Sequence, residues 1–442
     1  VAPARACAHR VLRRVFEQGA YAEKALISEA AELGPRDRAL AMRLSYGAIQ
    51  RRGTTDHLIE QLAGRSPQEL DAPVLAALRL GLYELLYLGG APDYAVIDDA
   101  VELAKVPRRK GHGLANAVLR RAAREGRERL LGGLADDTPA RAAIKHSHPQ
   151  WIAELWWAAL GPDGARALMA RDNEPAELAL RANTLRGDAD ALAAALGVPS
   201  HRDPLIAEAL VVDGPLDIHS TPLWAEGAYT AQSRAAMLVS LVLGPEPGER
   251  LLDLCAAPGA KSTHLAALME GRGEVVAVER NARRAHKLER TARRLGAQNI
   301  RVEIADAGLP RADGPFDRVL VDPPCSGLGT LQARPDRRWR ASSASIGELR
   351  ESQSRILNVG ADALRPGGVL VYSTCTVSPT ENELLIADFL DSRRDFALDD
   401  LSVEWPGYAQ AGAGPAGRTR ALLTLPDRDE TAGFFIARMR RS

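Results

Sequence analysis

The alternation that begins at residue 250 constrains this chain most. Strand-like runs at 250–254, 274–279, 300–305, 316–321 and 367–373 are separated by helix-like runs at 262–269, 281–295, 346–364 and 379–391. Strands alternating with helices of this length build βαβ units, and βαβ units place parallel strands in one sheet with helices on its faces. The spacing predicts a doubly wound α/β domain, with Gly433 to Met439 as a late strand.

The first strand–helix junction reads Leu251-Leu-Asp-Leu-Cys-Ala-Ala-Pro-Gly-Ala-Lys261. Its small residues let a ligand approach the backbone. Ligands of open α/β sheets bind at the carboxyl ends of strands. Asp253, Glu279 and Asp306 fall at or just past three such ends. An acidic residue ending the second strand is placed to accept hydrogen bonds from ribose hydroxyls. The turn is not G-x-G-x-x-G, which counts against a standard dinucleotide site. An adenosine-bearing ligand is expected here, with NAD and S-adenosylmethionine both open at this point.

The chain has 4 cysteines: Cys7, Cys255, Cys325 and Cys375. They form no C-x-x-C pair, so neither a zinc site nor a secreted disulfide framework is expected. Free thiols in a cytoplasmic protein are the expectation. Cys325 follows the strand ending at Asp322, in Pro323-Pro-Cys-Ser-Gly327. The prolines stiffen that turn. Cys375 ends the strand Val369-Leu-Val-Tyr-Ser-Thr. Ser378-Pro-Thr-Glu381 then reads as a helix start, with Ser378 as cap, Pro379 in the first turn and Glu381 closing a capping box. A helix start just beyond Cys375 would favour its thiolate. If the two strands are neighbours they lie about 5 Å apart, and both sulfurs could then face one small ring.

Upstream, helical spacing links Ala8, Val11, Leu12 and Val15; Leu40, Leu44 and Ala48; Leu75, Leu78, Leu82 and Leu85; Ile97, Val101 and Ala104; and Leu114, Val118 and Ala122. A helical bundle punctuated at Pro73, Gly89-Gly90 and Pro107 follows. Trp151, Trp156 and Trp157 read as packing residues in a further helical stretch. Residues 175–230 read as a small α+β insert with strands near 178–185 and 210–212 and a helix at 189–196. The formal net charge is +0, so a polyanion must be met by local patches. Lys105 to Arg129 carries nine basic residues against two acidic ones. Arg283 to Arg294 and Arg334 to Arg340 are two further basic segments. No uncharged apolar run reaches the roughly 18 residues of a membrane span. The N-terminus lacks an apolar core of signal-peptide length. Pro415 to Arg420 reads as a surface loop.

Three motifs together resemble those of RNA cytosine-5 methyltransferases: Asp253-Leu-Cys-Ala-Ala-Pro-Gly-Ala-Lys261, Asp322-Pro-Pro-Cys-Ser-Gly-Leu-Gly329 and Tyr372-Ser-Thr-Cys-Thr-Val-Ser-Pro-Thr-Glu-Asn-Glu383. Arg36-Asp-Arg-Ala-Leu40, Tyr46-Gly-Ala-Ile-Gln-Arg51 and Asn116-Ala-Val-Leu-Arg-Arg121 resemble a NusB domain. The fusion resembles the RsmB (Fmu) type, which methylates small-subunit (16S) ribosomal RNA. The resemblance implies a NusB-like RNA-binding domain over 1–130, a helical linker with a small α+β subdomain over 135–235, and a class I (Rossmann-like) seven-stranded methyltransferase domain over 236–442. It implies that Cys255, Ala256, Ala257, Pro258, Gly259, Ala260 and Lys261 wrap S-adenosylmethionine. Glu279 would hold its ribose, and Asp306 would address the adenine side. Asp322 would lie where cofactor and target base meet. Cys375 would be the nucleophile and Cys325 the aid to product release, whereas DNA cytosine methyltransferases use the Pro-Cys cysteine as nucleophile. Ribosomal RNA is the implied partner of a monomeric, metal-free enzyme. Two departures stand out: Ala260 where the family usually has glycine, and a partial match at Tyr229-Thr-Ala-Gln-Ser-Arg234, around Gln232 and Ser233. The rival readings are a NusB-like RNA-binding or assembly factor with an inactive methyltransferase domain, a cytosine-5 methyltransferase for transfer RNA or DNA, and an NAD-dependent oxidoreductase, which the missing glycine fingerprint disfavours.

Overall fold

A computed structural model of the chain describes residues 1–105, 111–408 and 420–442. Pro107, Arg108, Arg109, Lys110 and positions 415–419 of the expected loop lie outside the described residues. Two compact units form. One is Val1–Pro175 together with Leu331–Ala341, and the other is Ala176–Thr330 together with Ser342–Ser442. Among the described residues no helix is long and apolar enough to cross a membrane.

The first unit is helical. Its opening helix, Pro3–Gln18, begins on a proline and buries Ala8, Val11, Leu12 and Val15 along one stripe. Leu44 and Ala48 are buried in Pro35–Gln50, but Leu40 is exposed and Ala41 takes the inward position. Three- and four-residue spacings both fit a helix face, so the reading slipped by one residue there. Leu78, Leu82, Ile97, Val118 and Ala122 are buried in a shared core. Trp156 is fully buried against His148, with ring centroids 5.6 Å apart. It is a packing residue, as expected.

Leu331–Ala341 lies between the two cysteine motifs in sequence, yet it packs as part of this helical unit. Arg338 is fully buried. Its guanidinium donates to the Ser147 carbonyl, Asn173 Oδ1 and the Asp172 carbonyl, each at 3.0 Å. Trp339 Nε1 donates to the Ile49 carbonyl at 2.7 Å, and Arg340 donates to the Gly19 carbonyl. The basic run Arg334 to Arg340, expected to meet RNA, thus directs Arg338 inward, while Arg340 stays exposed. A buried carbonyl without a partner costs about 1–3 kcal/mol, and this segment relieves several.

The second unit holds two sheets. The smaller contains β1 (Ala179–Ala182), β2 (Ser200–Arg202), β3 (Ala209–Val212) and β4 (Tyr229–Ala231), all antiparallel, in the order β2-β3-β1-β4. The larger contains β5 (Arg250–Leu254), β6 (Glu274–Val278), β7 (Ile300–Glu303), β8 (Phe316–Val321), β9 (Leu364–Thr374), β10 (Phe396–Leu398), β11 (Leu422–Thr424) and β12 (Phe434–Arg441). Seven strands follow the path β10-β12-β9-β8-β5-β6-β7, and β11 adds to β12 as an eighth. Strands β5 to β9 are parallel, while β12 runs antiparallel to β9. Leu251, Leu252, Val275, Val276, Val319, Leu320, Leu370 and Val371 are buried, as central strands covered on both faces require. The strand order reverses between β5 and β8, the point where such sheets open a ligand crevice.

Candidate active site

Register puts the site along one edge of the large sheet. Leu254 pairs with Val278 and with Val321, Val278 pairs with Glu303, and Val321 pairs with Tyr372. The carboxyl ends of β7, β6, β5, β8 and β9 are therefore level. Past them, in that order, come Asp306, Glu279, the loop 255–261, Asp322 with Cys325, and Cys375. Three strand spacings, about 14 Å, separate the ends of β6 and β9.

The loop after β5 owes its shape to small residues. Gly259 has φ +102°, and a Cβ there would come within 2.9 Å of Leu288 Cγ. Ala256 donates to the Val278 carbonyl at 2.9 Å. The Ala257 carbonyl accepts from Arg284 Nη2 at 2.6 Å. Ala260 opens the helix Ala260–Leu268. It is absent from the non-glycine residues with positive φ, so its methyl group is accommodated. Cys255 does adopt positive φ, at +68°. Burial and the charges of Asp322, Asp253 and Glu279 push its thiol up to about 12, which leaves it unreactive.

The acidic residues divide by environment. Asp253 lies within β5, buried, and accepts from Ser262 Oγ at 2.6 Å. It braces the following helix, and burial raises its carboxyl to about 7. Glu279 follows β6. Its Oε1 accepts from the Asn281 amide at 2.8 Å, and Arg284 lies 3.4 Å from Oε2. Asp306 is exposed and accepts from the Gly308 amide at 2.8 Å. Asp322 accepts from Lys261 Nζ at 2.7 Å on one oxygen and from Ser373 Oγ at 3.1 Å on the other.

Cys325 Sγ and Cys375 Sγ stand 3.4 Å apart, and both residues are half-buried. The hydrogen bond to Cys375 is the largest cause holding the Cys325 thiol well above its ordinary range, with burial next. Two sulfurs this close cannot both ionise readily. Cys325 is the one whose thiol is held protonated. Burial pulls the Lys261 ammonium down, but the charges of Asp322 and Cys375 outweigh it, and its pKa is raised.

The expected helix start at Ser378 is not there. The helix begins at Glu383, and its N-cap, Asn382, makes no side-chain cap hydrogen bond. Glu381 instead turns back, buried, to accept from the Ser326 amide at 2.9 Å, Ser326 Oγ at 2.5 Å and Gln353 Nε2 at 3.0 Å. The buried amide and hydroxyl of Ser326 beside Cys325 take both oxygens of this carboxylate, which leaves none for a capping box. The cation beside Cys375 is therefore Lys261, not a helix terminus. Ser326 Oγ also lies 2.6 Å from Thr376 Oγ1, and the Gly329 amide donates to the Cys375 carbonyl at 3.0 Å. These bonds tie the two cysteine turns together. Sequence reasoning missed this brace. Its only signal was polar residues clustered around both cysteines.

Ser233 caps the helix Arg234–Leu243 by accepting from the Ala236 amide, and the Gln232 side chain is buried beside it. Among the described residues no group of three or more His, Cys, Asp and Glu side chains is arranged to hold a metal.

The family model of the 16S rRNA methyltransferases RsmB/F matches residues 240–440. That of the NusB family matches 2–124, and a ferredoxin-like domain of RsmF/B-like methyltransferases matches 148–219. The probable ribosomal RNA small subunit methyltransferase B of Synechocystis is 34% identical, with 99% of each chain covered. The chain belongs to the RsmB/F methyltransferase family. The Bacillus subtilis relative that carries the same name is 35% identical, covering 93% of this chain and 92% of its own. A solved methyltransferase homologue from Pyrococcus horikoshii is 28% identical with a TM-score of 0.61, covering 70% of this chain and all of that one.

Proposed function

We propose that this chain methylates C5 of a cytosine in small-subunit ribosomal RNA, using S-adenosylmethionine and a covalent cysteine adduct. The observation that carries the reading is the pair of sulfurs 3.4 Å apart, beside the Lys261–Asp322 ion pair. The residues fit the cofactor: Gly259 leaves no side chain over the turn, and Glu279 stands at the end of β6, in reach of ribose hydroxyls. When bound, S-adenosylmethionine supplies an electrophilic methyl group.

Cytosine C5 is a poor nucleophile until a thiolate adds at C6. Cys375 forms that bond, and the displaced electron pair moves toward N3. Asp322 accepts a hydrogen bond from the exocyclic amine, and the proton of the Lys261–Asp322 pair is shared with N3. C5 then takes the methyl group as its bond to the cofactor sulfur breaks, S-adenosylhomocysteine being the leaving group. Once Cys375 is bonded to carbon it no longer holds Cys325 protonated. Cys325 releases its proton to solvent and becomes the base that removes the C5 hydrogen. The C6–S bond breaks, Cys375 leaves as thiolate, and the shared-proton pair is restored. The ring must be single-stranded or flipped out to reach both sulfurs. Arg283, Lys287, Arg290 and Arg293 are exposed on the helix Ala282–Leu295 and provide phosphate contacts. Arg294 does not, because it donates to the Trp224 and Tyr229 carbonyls.

Bisulfite sequencing of ribosomal RNA from cells with and without the chain tests the target. One 16S cytosine should resist conversion only when the chain is present. No protected position in 16S RNA, together with protection in transfer RNA, would sink the ribosomal reading. Gly259→Ala tests the cofactor loop. A Cβ at positive φ costs about 1–2 kcal/mol, so KM for S-adenosylmethionine should rise roughly tenfold while KM for RNA holds.

A further inference from the structure

The small α+β sheet has no part in the chemistry above, yet it sends two buried side chains into the helix behind the cofactor loop. Arg181 on β1 and Glu208 just before β3 both reach the first turn of Ala260–Leu268. Arg181 Nη1 donates to the Ala260 carbonyl at 2.8 Å, and Nη2 donates to Thr263 Oγ1 at 3.0 Å. Thr263 Oγ1 in turn donates to the Gly259 carbonyl at 2.7 Å. Glu208 Oε1 lies 2.5 Å from His264 Nε2. All four side chains are buried.

This placement is costly. A guanidinium at a helix N-terminus faces the positive end of the dipole, where anions are favoured. Burial lowers the Arg181 pKa to about 9, against the opposing pull of Glu208. His264 is held down to about 4, chiefly by burial, so Glu208 meets a neutral ring. A cation kept at such a position serves something other than helix stability.

Peptide planarity indicates what it serves. The carbonyl and N–H of one peptide unit point in opposite directions. With the Gly259 and Ala260 carbonyls held inward, the Ala260 and Lys261 N–H groups are turned away from the small sheet. They belong to the first turn, whose N–H groups have no partner four residues back. Such groups are suited to a carboxylate.

We propose that Arg181, acting with Thr263, is a positioning residue that aims the first N–H groups of this helix at the carboxylate of the cofactor's amino-acid portion. The small sheet thereby becomes part of the cofactor site. The proposal rests on the S-adenosylmethionine reading given above.

Calorimetric titration of the full chain with two ligands tests it. S-adenosylhomocysteine carries the carboxylate, and 5′-methylthioadenosine lacks the whole amino-acid portion. Thr263→Val and Arg181→Met should each raise Kd for S-adenosylhomocysteine about tenfold, leaving 5′-methylthioadenosine within about twofold. Arg181→Lys should restore part of the loss. Leu192→Ala, a truncation in the core of the small sheet, should lower Tm without changing the ratio of the two Kd values. Equal losses for both ligands, or an unchanged Kd for S-adenosylhomocysteine, would overturn the proposal. If Arg181→Met does not fold, Thr263→Val decides alone. A wild-type chain that binds neither ligand would instead remove the cofactor reading itself.

Discussion

Cys375→Ala should lose methyl transfer by a factor on the order of 10⁴ or more while still binding S-adenosylhomocysteine. The size of the loss follows from the chemistry. Without a bond at C6 the ring stays aromatic and C5 does not attack. The cofactor loop is untouched, because the loop 255–261 and Glu279 hang on β5 and β6 while Cys375 ends β9. The measurement is incorporation of labelled methyl into ribosomal RNA beside calorimetric ligand binding. Activity within tenfold of wild type would remove Cys375 from the nucleophile's place.

Cys325→Ala should also have a large effect, with the opposite trace. Attack by Cys375 and transfer of the methyl group remain possible. The C5 proton then has no base 3.4 Å from the attacking sulfur, and general-base catalysis contributes roughly 10²–10⁴-fold. Turnover should fall by that factor, and enzyme joined to RNA should accumulate as a band that survives denaturing electrophoresis. The double variant Cys325→Ala/Cys375→Ala should give no band. If the band appears with Cys375→Ala instead, the two sulfurs exchange roles and the DNA-type assignment applies. The electrostatics argue against that exchange. Cys325 keeps its proton through its bond to Cys375, and the Lys261 ammonium feels the charge of Cys375.

Most of the site was legible along the chain because its parts are local. The residues of the loop 255–261, the strand-terminal Glu279 and both cysteines are specified by short runs in which small residues, prolines and strand ends fall together. The Ser378–Glu381 run misled for the same reason. As a local pattern it makes a sound capping box, but Glu381 had a better acceptor role at Ser326, distant in sequence. The Arg334–Arg340 run misled likewise, since charge in a sequence does not reveal that Arg338 meets three acceptors in a helical unit.

Periodicity and motif chemistry by themselves determined that a parallel α/β core follows a helical domain, and that two thiols end two of its strands. Each of those statements needs only neighbours within a few residues. The tertiary structure alone decided that β8 and β9 lie side by side, that their sulfurs stand 3.4 Å apart, and that Lys261 rather than a helix end supplies the cation. It also decided that Arg181 reaches the cofactor helix from another sheet. Those depend on strand order and on which buried polar groups find partners, and pairing across 50 or 80 residues leaves no mark in local sequence.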